Sequence, residues 1–113
     1  MNSENLLNEQ NRVATLIDHA LLAPNLTYQE VLQGCRAAVA WKVASVCIIP
    51  VAVPLCATEL VGSAVRVSTV IGFPHGGNHT VVKAAEARRA LDDGAEELDM
   101  VVSISNVVSE NWR

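Results

Sequence analysis

Two hydrophobic periods alternate along this chain, and their order predicts its elements. A polar lead-in over residues 3 to 13 reads as helix, and ATLID (14–18) reads as a first strand. TYQE (27–30) has the form of a capping box, in which the threonine oxygen and the glutamate carboxylate each accept from an amide that the first helical turn leaves unpaired. The helix that starts there carries Tyr28, Val31, Leu32, Cys35, Ala38 and Val39 at spacings of three and four, a single apolar stripe. ASVCII (44–49) is a compact second strand stopped by Pro50, and Pro54 suits the first turn of a short helix that Gly62 can end. VRVSTVIGF (65–73) is a β-branched third strand. From Thr80 to Asp93 a helix puts Lys83, Glu86, Arg88, Arg89, Asp92 and Asp93 on a solvated face, with Gly94 where a C-terminal cap belongs. EELDMVV (96–102) is the fourth strand, and SENWR (109–113) reads as the first turn of a further helix with Ser109 as its N-cap.

The pattern is therefore four βα repeats with the last helix missing. Near-continuous apolar strands joined by helical crossovers imply a parallel sheet covered by helices. A doubly wound sheet and part of a (β/α) barrel both satisfy that pattern. No G-x-G-x-x-G follows the first strand and no G-x-x-x-x-G-K occurs, which removes the usual phosphate-binding marks of the doubly wound class. Asp18, Cys47, Thr69 and Asp99 fall in or near strand ends, where a barrel gathers polar side chains at a shared mouth. The barrel is the favoured reading.

Composition narrows the function. Half of the 113 residues are apolar, enough for a core. The net charge of −4 is spread without like-sign blocks and only 4% of residues are aromatic, so neither the charge nor the stacking surface for nucleic acid is present. The longest apolar stretch, residues 43 to 57, is interrupted by Ser45, Pro50 and Pro54, and the N-terminal residues have no basic or apolar leader region, which predicts a soluble, cytoplasmic protein without a membrane partner. Cys35, Cys47 and Cys56 are odd in number and have no C-x-x-C spacing, which fits free, core-packed thiols.

LIDHALLAP (16–24), SVCIIP (45–50), VRVSTVIGFPHG (65–76) and KAAEARRALDDGAEELDMVVSI (83–104), with the setting of Trp112, resemble the N-terminal part of deoxyribose-phosphate aldolase in order and spacing, from about residue 15 to the end. The resemblance implies a class I aldolase on a (β/α)8 TIM barrel, of which this chain covers about the first four βα units. Residues 1–14 then form a helical lead-in and 15–113 the N-terminal half of the barrel domain. Such enzymes reversibly cleave 2-deoxy-D-ribose 5-phosphate to D-glyceraldehyde 3-phosphate and acetaldehyde, in deoxyribonucleotide catabolism, through a lysine Schiff base and without a cofactor. Cleavage leaves an electron pair on the acetaldehyde carbon, which an iminium accepts, and protons must then be relayed on and off carbon and oxygen. By resemblance Asp99 is the relay carboxylate, Asp18 a supporting one in the lysine network, and Cys47 a thiol at the substrate pocket. The residues alone also admit a strand-end carboxylate holding a loop amide for Asp99, a helix or loop cap for Asp18, and simple packing for Cys47. Where the family often has threonine after Asp-His, this chain has Ala20, so a hydroxyl at the mouth is absent.

His19, His75 and His79 raise a metal-dependent alternative in which zinc polarises the carbonyl, although no H-x-H or H-x-x-x-H pair stands on one element. GFPHGG (72–77) could cradle a phosphate through its amides, but a tight βα turn explains the same residues, and barrels usually place that job after strands seven and eight.

A complete barrel needs about 250 residues. The resemblance puts the Schiff-base lysine on the sixth strand and its partner lysine on the seventh, and the lysines present, Lys42 and Lys83, lie on helices expected to face outward. No lysine here matches the nucleophile. The expectation is thus a fragment, inactive alone, that acts on a phosphorylated sugar once joined by its C-terminal half or within a homo-oligomer. The alternative is a catalytically inactive half-barrel that associates with itself through exposed strand edges.

Overall fold

The computed structural model describes residues 2–113. Ten short segments follow one another as helix α1 (Ser3–Ala14), strand β1 (Asp18–Leu21), α2 (Tyr28–Trp41), β2 (Ser45–Ile48), a 3-10 turn (Pro50–Ala52), α3 (Val53–Glu59), β3 (Arg66–Ile71), α4 (Thr80–Asp92), β4 (Glu97–Met100) and α5 (Ile104–Val108). The strands form one parallel sheet in the order β1-β2-β3-β4. That order decides between the two architectures left open above, because a doubly wound sheet reverses direction about its first strand whereas a barrel adds each strand beside the one before.

Local signals explain the elements. The Thr27 side chain accepts from the Glu30 amide while the Glu30 carboxylate accepts from the Thr27 amide at 2.7 Å, so the capping box starts α2 as its sequence requires. Of the apolar stripe on α2, Val31, Cys35 and Ala38 are buried, whereas Tyr28 and Val39 stand at the rim and are exposed. Pro54 sits in the first turn of α3, and Gly62 follows that helix at φ +79°.

Two boundaries differ from the sequence reading. The first strand does not cover residues 14–17, because the amides of Thr15, Leu16 and Ile17 close turns back onto Asn11, Val13 and Ala14; only the Ile17 carbonyl joins the sheet, accepting from Ala44 and Ser45. The last helix is capped by Ser103, whose side chain accepts from the Asn106 amide, and Ser109 ends it. Glu110 then turns into the left-handed region at φ 53° and the Asn111 amide closes onto the Asn106 carbonyl, so SENWR leaves a helix and does not begin one.

The core lies between the sheet and helices α2, α3 and α4. Val46 and Ile48 of β2, Val67 and Ile71 of β3 and partly buried Leu21 and Leu98 of the outer strands meet Val31, Cys35, Ala38, Val53, Cys56 and Ala90 from the helices. All of β2 and all of β3 except Arg66 are buried, while β1 and β4 are partly open at the sheet edges. Helix α1 buries no residue. The radius of gyration is 16.3 Å, against about 13 Å for a closed domain of this length, as expected of an open sheet with a protruding helix. Among the described residues no helix is long and apolar enough to cross a membrane.

Because Ile71 is wholly buried in this single core, Ile71→Ala should cost about 2–5 kcal/mol in urea unfolding. An unchanged midpoint would mean that the helix layer does not seal on β3.

Candidate active site

Successive strand side chains point to opposite faces, and paired residues of parallel strands share a face, so the register fixes what each face displays. Leu21, Ile48, Thr69 and Leu98 are in register and pack toward the helices. The other face, which a closed barrel would turn toward its lumen, carries Asp18 and Ala20 from β1, Ser45 and Cys47 from β2, Arg66, Ser68 and Val70 from β3, and Glu97 and Asp99 from β4. Cys47 and Val70 are both 3% exposed and lie outside the helix-side core.

This face brings together Asp18, Cys47 and Asp99. The Ser45 hydroxyl donates to Asp18 at 2.6 Å, tying β1 to β2, so Asp18 bridges strands and caps no helix. Cys47 shares this face with both carboxylates and with Ser68, its partner in the register. Burial pushes its thiol above the ordinary range, and the charges of Asp18 and Asp99 add to the rise while Ser68 opposes it. Asp99 is exposed, and among the described residues its carboxylate accepts no hydrogen bond, so it holds no loop amide. Toward the N-terminal ends of the strands, Arg66 pairs with Glu97 at 2.9 Å. Ala20 pairs with Cys47 in the register and leaves that edge without a hydroxyl.

Thr69 does not join the group. It is fully buried beneath the helices and donates to the Ile48 carbonyl at 2.7 Å, because the pleat gives it the same face as Ile48 and Leu98.

Lys83 also departs from the sequence reading. Its stem folds inward over Gly72, and its ammonium donates to the Val101 carbonyl at 2.8 Å, two residues beyond Asp99. One turn on, Glu86 accepts from the Gly72 amide at 2.8 Å. Gly72 is at φ +68°, and a Cβ there would lie 2.8 Å from the Lys83 stem. Gly76, at φ +65°, sits so close to the chain at Val102 that a Cβ would lie 2.0 Å from its carbonyl oxygen. The GFPHG turn, whose Phe73–Pro74 peptide is cis, is thereby seated directly on the backbone that follows Asp99. The clue was the spacing of Gly72 and Gly76 ahead of Lys83 and Glu86, since a lysine and an acid one turn apart can both reach back to a glycine turn.

The histidines are dispersed. His19 meets Trp41 edge to face at 5.5 Å on the helix side of β1, His75 is exposed in the β3–α4 turn, and His79 is the N-cap residue of α4. Among the described residues no three His, Cys, Asp or Glu side chains group as metal ligands. A cavity of about 700 Å³ lies between α4, the chain after β4 and Trp112, and none of Asp18, Cys47 and Asp99 lines it.

No family model matches the chain. It is 52% identical over 100 residues to a deoxyribose-phosphate aldolase of Rhodopirellula baltica, covering 88% of this chain and 42% of that protein. Among solved structures it superposes on one described as "QR15, an Aldolase" with a TM-score of 0.82 and 39% identity, covering 87% of this chain and 43% of the other. It also superposes on a deoxyribose phosphate aldolase of Aeropyrum pernix, described as having a unique tetrameric structure, with a TM-score of 0.80 and 28% identity over 93% of this chain and 48% of that one. The chain thus spans less than half the length of the curated relatives it matches. Its open sheet is an incomplete TIM barrel of four βα units.

Two outcomes follow from the geometry. Iodoacetamide should alkylate Cys47 with a midpoint above the ordinary thiol value of about 8.5, since a raised pKa keeps the neutral thiol to higher pH, and Asp99→Asn should lower that midpoint. A midpoint unaffected by Asp99→Asn would separate the two side chains. Lys83→Met should cost on the order of 1–2 kcal/mol and shift the amide resonances of residues 99–102, because the Val101 carbonyl loses a charged donor.

Proposed function

Taking as premise that this chain is homologous over most of its length to the deoxyribose-phosphate aldolases, we propose that it is the N-terminal half of such an enzyme's barrel domain. Its reaction is the reversible cleavage of 2-deoxy-D-ribose 5-phosphate to D-glyceraldehyde 3-phosphate and acetaldehyde. The observation that carries this reading is the convergence of Asp18, Cys47 and Asp99 on the lumen-side face.

In this reading the chain supplies the proton-handling wall of the site and another segment supplies the amine. An amine attacks the substrate carbonyl, and the iminium formed on it takes up the electron pair released when the carbon–carbon bond breaks. Asp99, free of hydrogen bonds and open to the lumen, shuttles the protons that iminium formation and carbon protonation require. Asp18, held by Ser45, adds a second carboxylate that keeps neighbouring ammonium groups charged and placed. Cys47 packs the pocket wall as a neutral thiol. Neither lysine of this chain is placed to be the nucleophile: Lys42 caps α2 in the left-handed region, and Lys83 is committed to the Val101 carbonyl. The amine therefore belongs to residues beyond these 113, in the rest of the barrel. Oligomer formation, cytoplasmic location and the phosphorylated sugar substrate are part of the same proposal.

The test is borohydride trapping with acetaldehyde, read by intact mass. The chain alone should give no specific adduct on Lys42 or Lys83, and a defined adduct lost on mutating one of them would refute this division of labour. In the assembled enzyme Asp99→Asn should lower turnover by about 10²- to 10⁴-fold with the fold retained. A rate equal to wild type would remove Asp99 from the mechanism.

A further inference from the structure

Cys35 of α2 and Cys56 of α3 are both wholly buried on the helix side of the sheet, and their sulfur atoms are 3.3 Å apart, close enough to share a hydrogen bond. Both are free thiols. A groove of about 490 Å³ between the two helices runs over Cys35, bordered by Arg36, Val39, Glu59, Val61 and Ser63. The ion pair of Arg36 with Glu59, 2.6 Å long, spans the same interface and holds the helices in line. Cys47 lies on the opposite face of the sheet and cannot reach this pair.

We infer that Cys35 and Cys56 form a redox modification site, at which a small peroxide converts the two thiols into a disulfide that staples α2 to α3. The groove divides the roles, because it is lined by Cys35 and not by Cys56, so that Cys35, once ionised, is the sulfur that meets the oxidant and Cys56 the one that resolves. The Cys35 thiolate attacks one oxygen of hydrogen peroxide, the O–O bond breaks, and hydroxide departs to be protonated, leaving a sulfenic acid. The Cys56 sulfur then attacks the Cys35 sulfur, its proton leaves with the expelled hydroxyl as water, and the S–S bond forms. Two thiols lose two electrons and two protons in all, and one peroxide becomes two waters. A peroxide suits a site that excludes bulky oxidants, and the adjacent second thiol intercepts the sulfenic acid before further oxidation. The bridge joins residues 21 apart and so restricts the unfolded chain. This site is independent of the aldolase reading.

The experiment treats the native chain with hydrogen peroxide, blocks remaining thiols and maps peptides by mass. The expected result is one intramolecular Cys35–Cys56 link, two hydrogens lighter, with Cys47 alkylated, reversal by dithiothreitol and a raised melting temperature. Cys47→Ser should form the same link, and Cys35→Ser and Cys56→Ser should not. A link through Cys47, sulfinic acid on either buried thiol without a link, or a native chain left unmodified while the urea-unfolded chain oxidises would each overturn the inference. The wild-type map decides the matter even where a serine variant fails to fold.

Discussion

Everything in this molecule depends on the pairing register of its four parallel strands. A strand's side chains alternate strictly between faces, so a slip of one residue would exchange the core with the lumen-side face. The register is held by Leu21, Ile48 and Leu98 pressing on the helices beside the buried, hydrogen-bonded Thr69, and by two ties on the other face, Ser45 to Asp18 and Arg66 to Glu97. The Arg66–Glu97 pair is largely exposed and worth little; burial of β2 and β3 supplies most of the specificity. The consequence for chemistry is that two carboxylates and a thiol from three strands, far apart in sequence, share one surface.

A second constraint acts at the strand ends. The turn after β3 is seated on the backbone after β4 by Gly76, while the Lys83 ammonium holds the Val101 carbonyl and Glu86 holds the Gly72 amide. Helix α4 thus fastens the C-terminal ends of both strands, and the exit path of the chain beyond Asp99 is set by groups on β3 and α4. Asp99 thus sits just ahead of a clamped stretch of backbone while its own side chain is exposed.

Much of this was legible in the chain. Periodicity gave the alternating elements, the Thr27–Glu30 box gave the start of α2, and resemblance singled out Asp18, Cys47 and Asp99, which the register then brought together. What stayed hidden depended on long-range geometry. Thr69 sits late in its strand, where mouth residues are expected, but the face of a residue depends on the parity of pairing, which a near-continuously apolar strand does not display. Lys83 read as solvated because its helix is highly charged, yet its long stem reaches a strand-end carbonyl across an unoccupied glycine. Ser109 begins no helix because Glu110 after it is left-handed and the Asn111 amide closes back onto Asn106, whereas Ser103 accepts from the Asn106 amide and starts one. The proximity of Cys35 and Cys56 likewise arises from helix packing and has no local signature.

The register is open to direct measurement through nuclear Overhauser contacts between backbone protons of neighbouring strands. The account predicts contacts that place Cys47 beside Ser68 and Val70 beside Asp99. Contacts that instead place Cys47 beside Thr69, or Val70 beside Leu98, would put Cys47 and Asp99 on opposite faces of the sheet and contradict it.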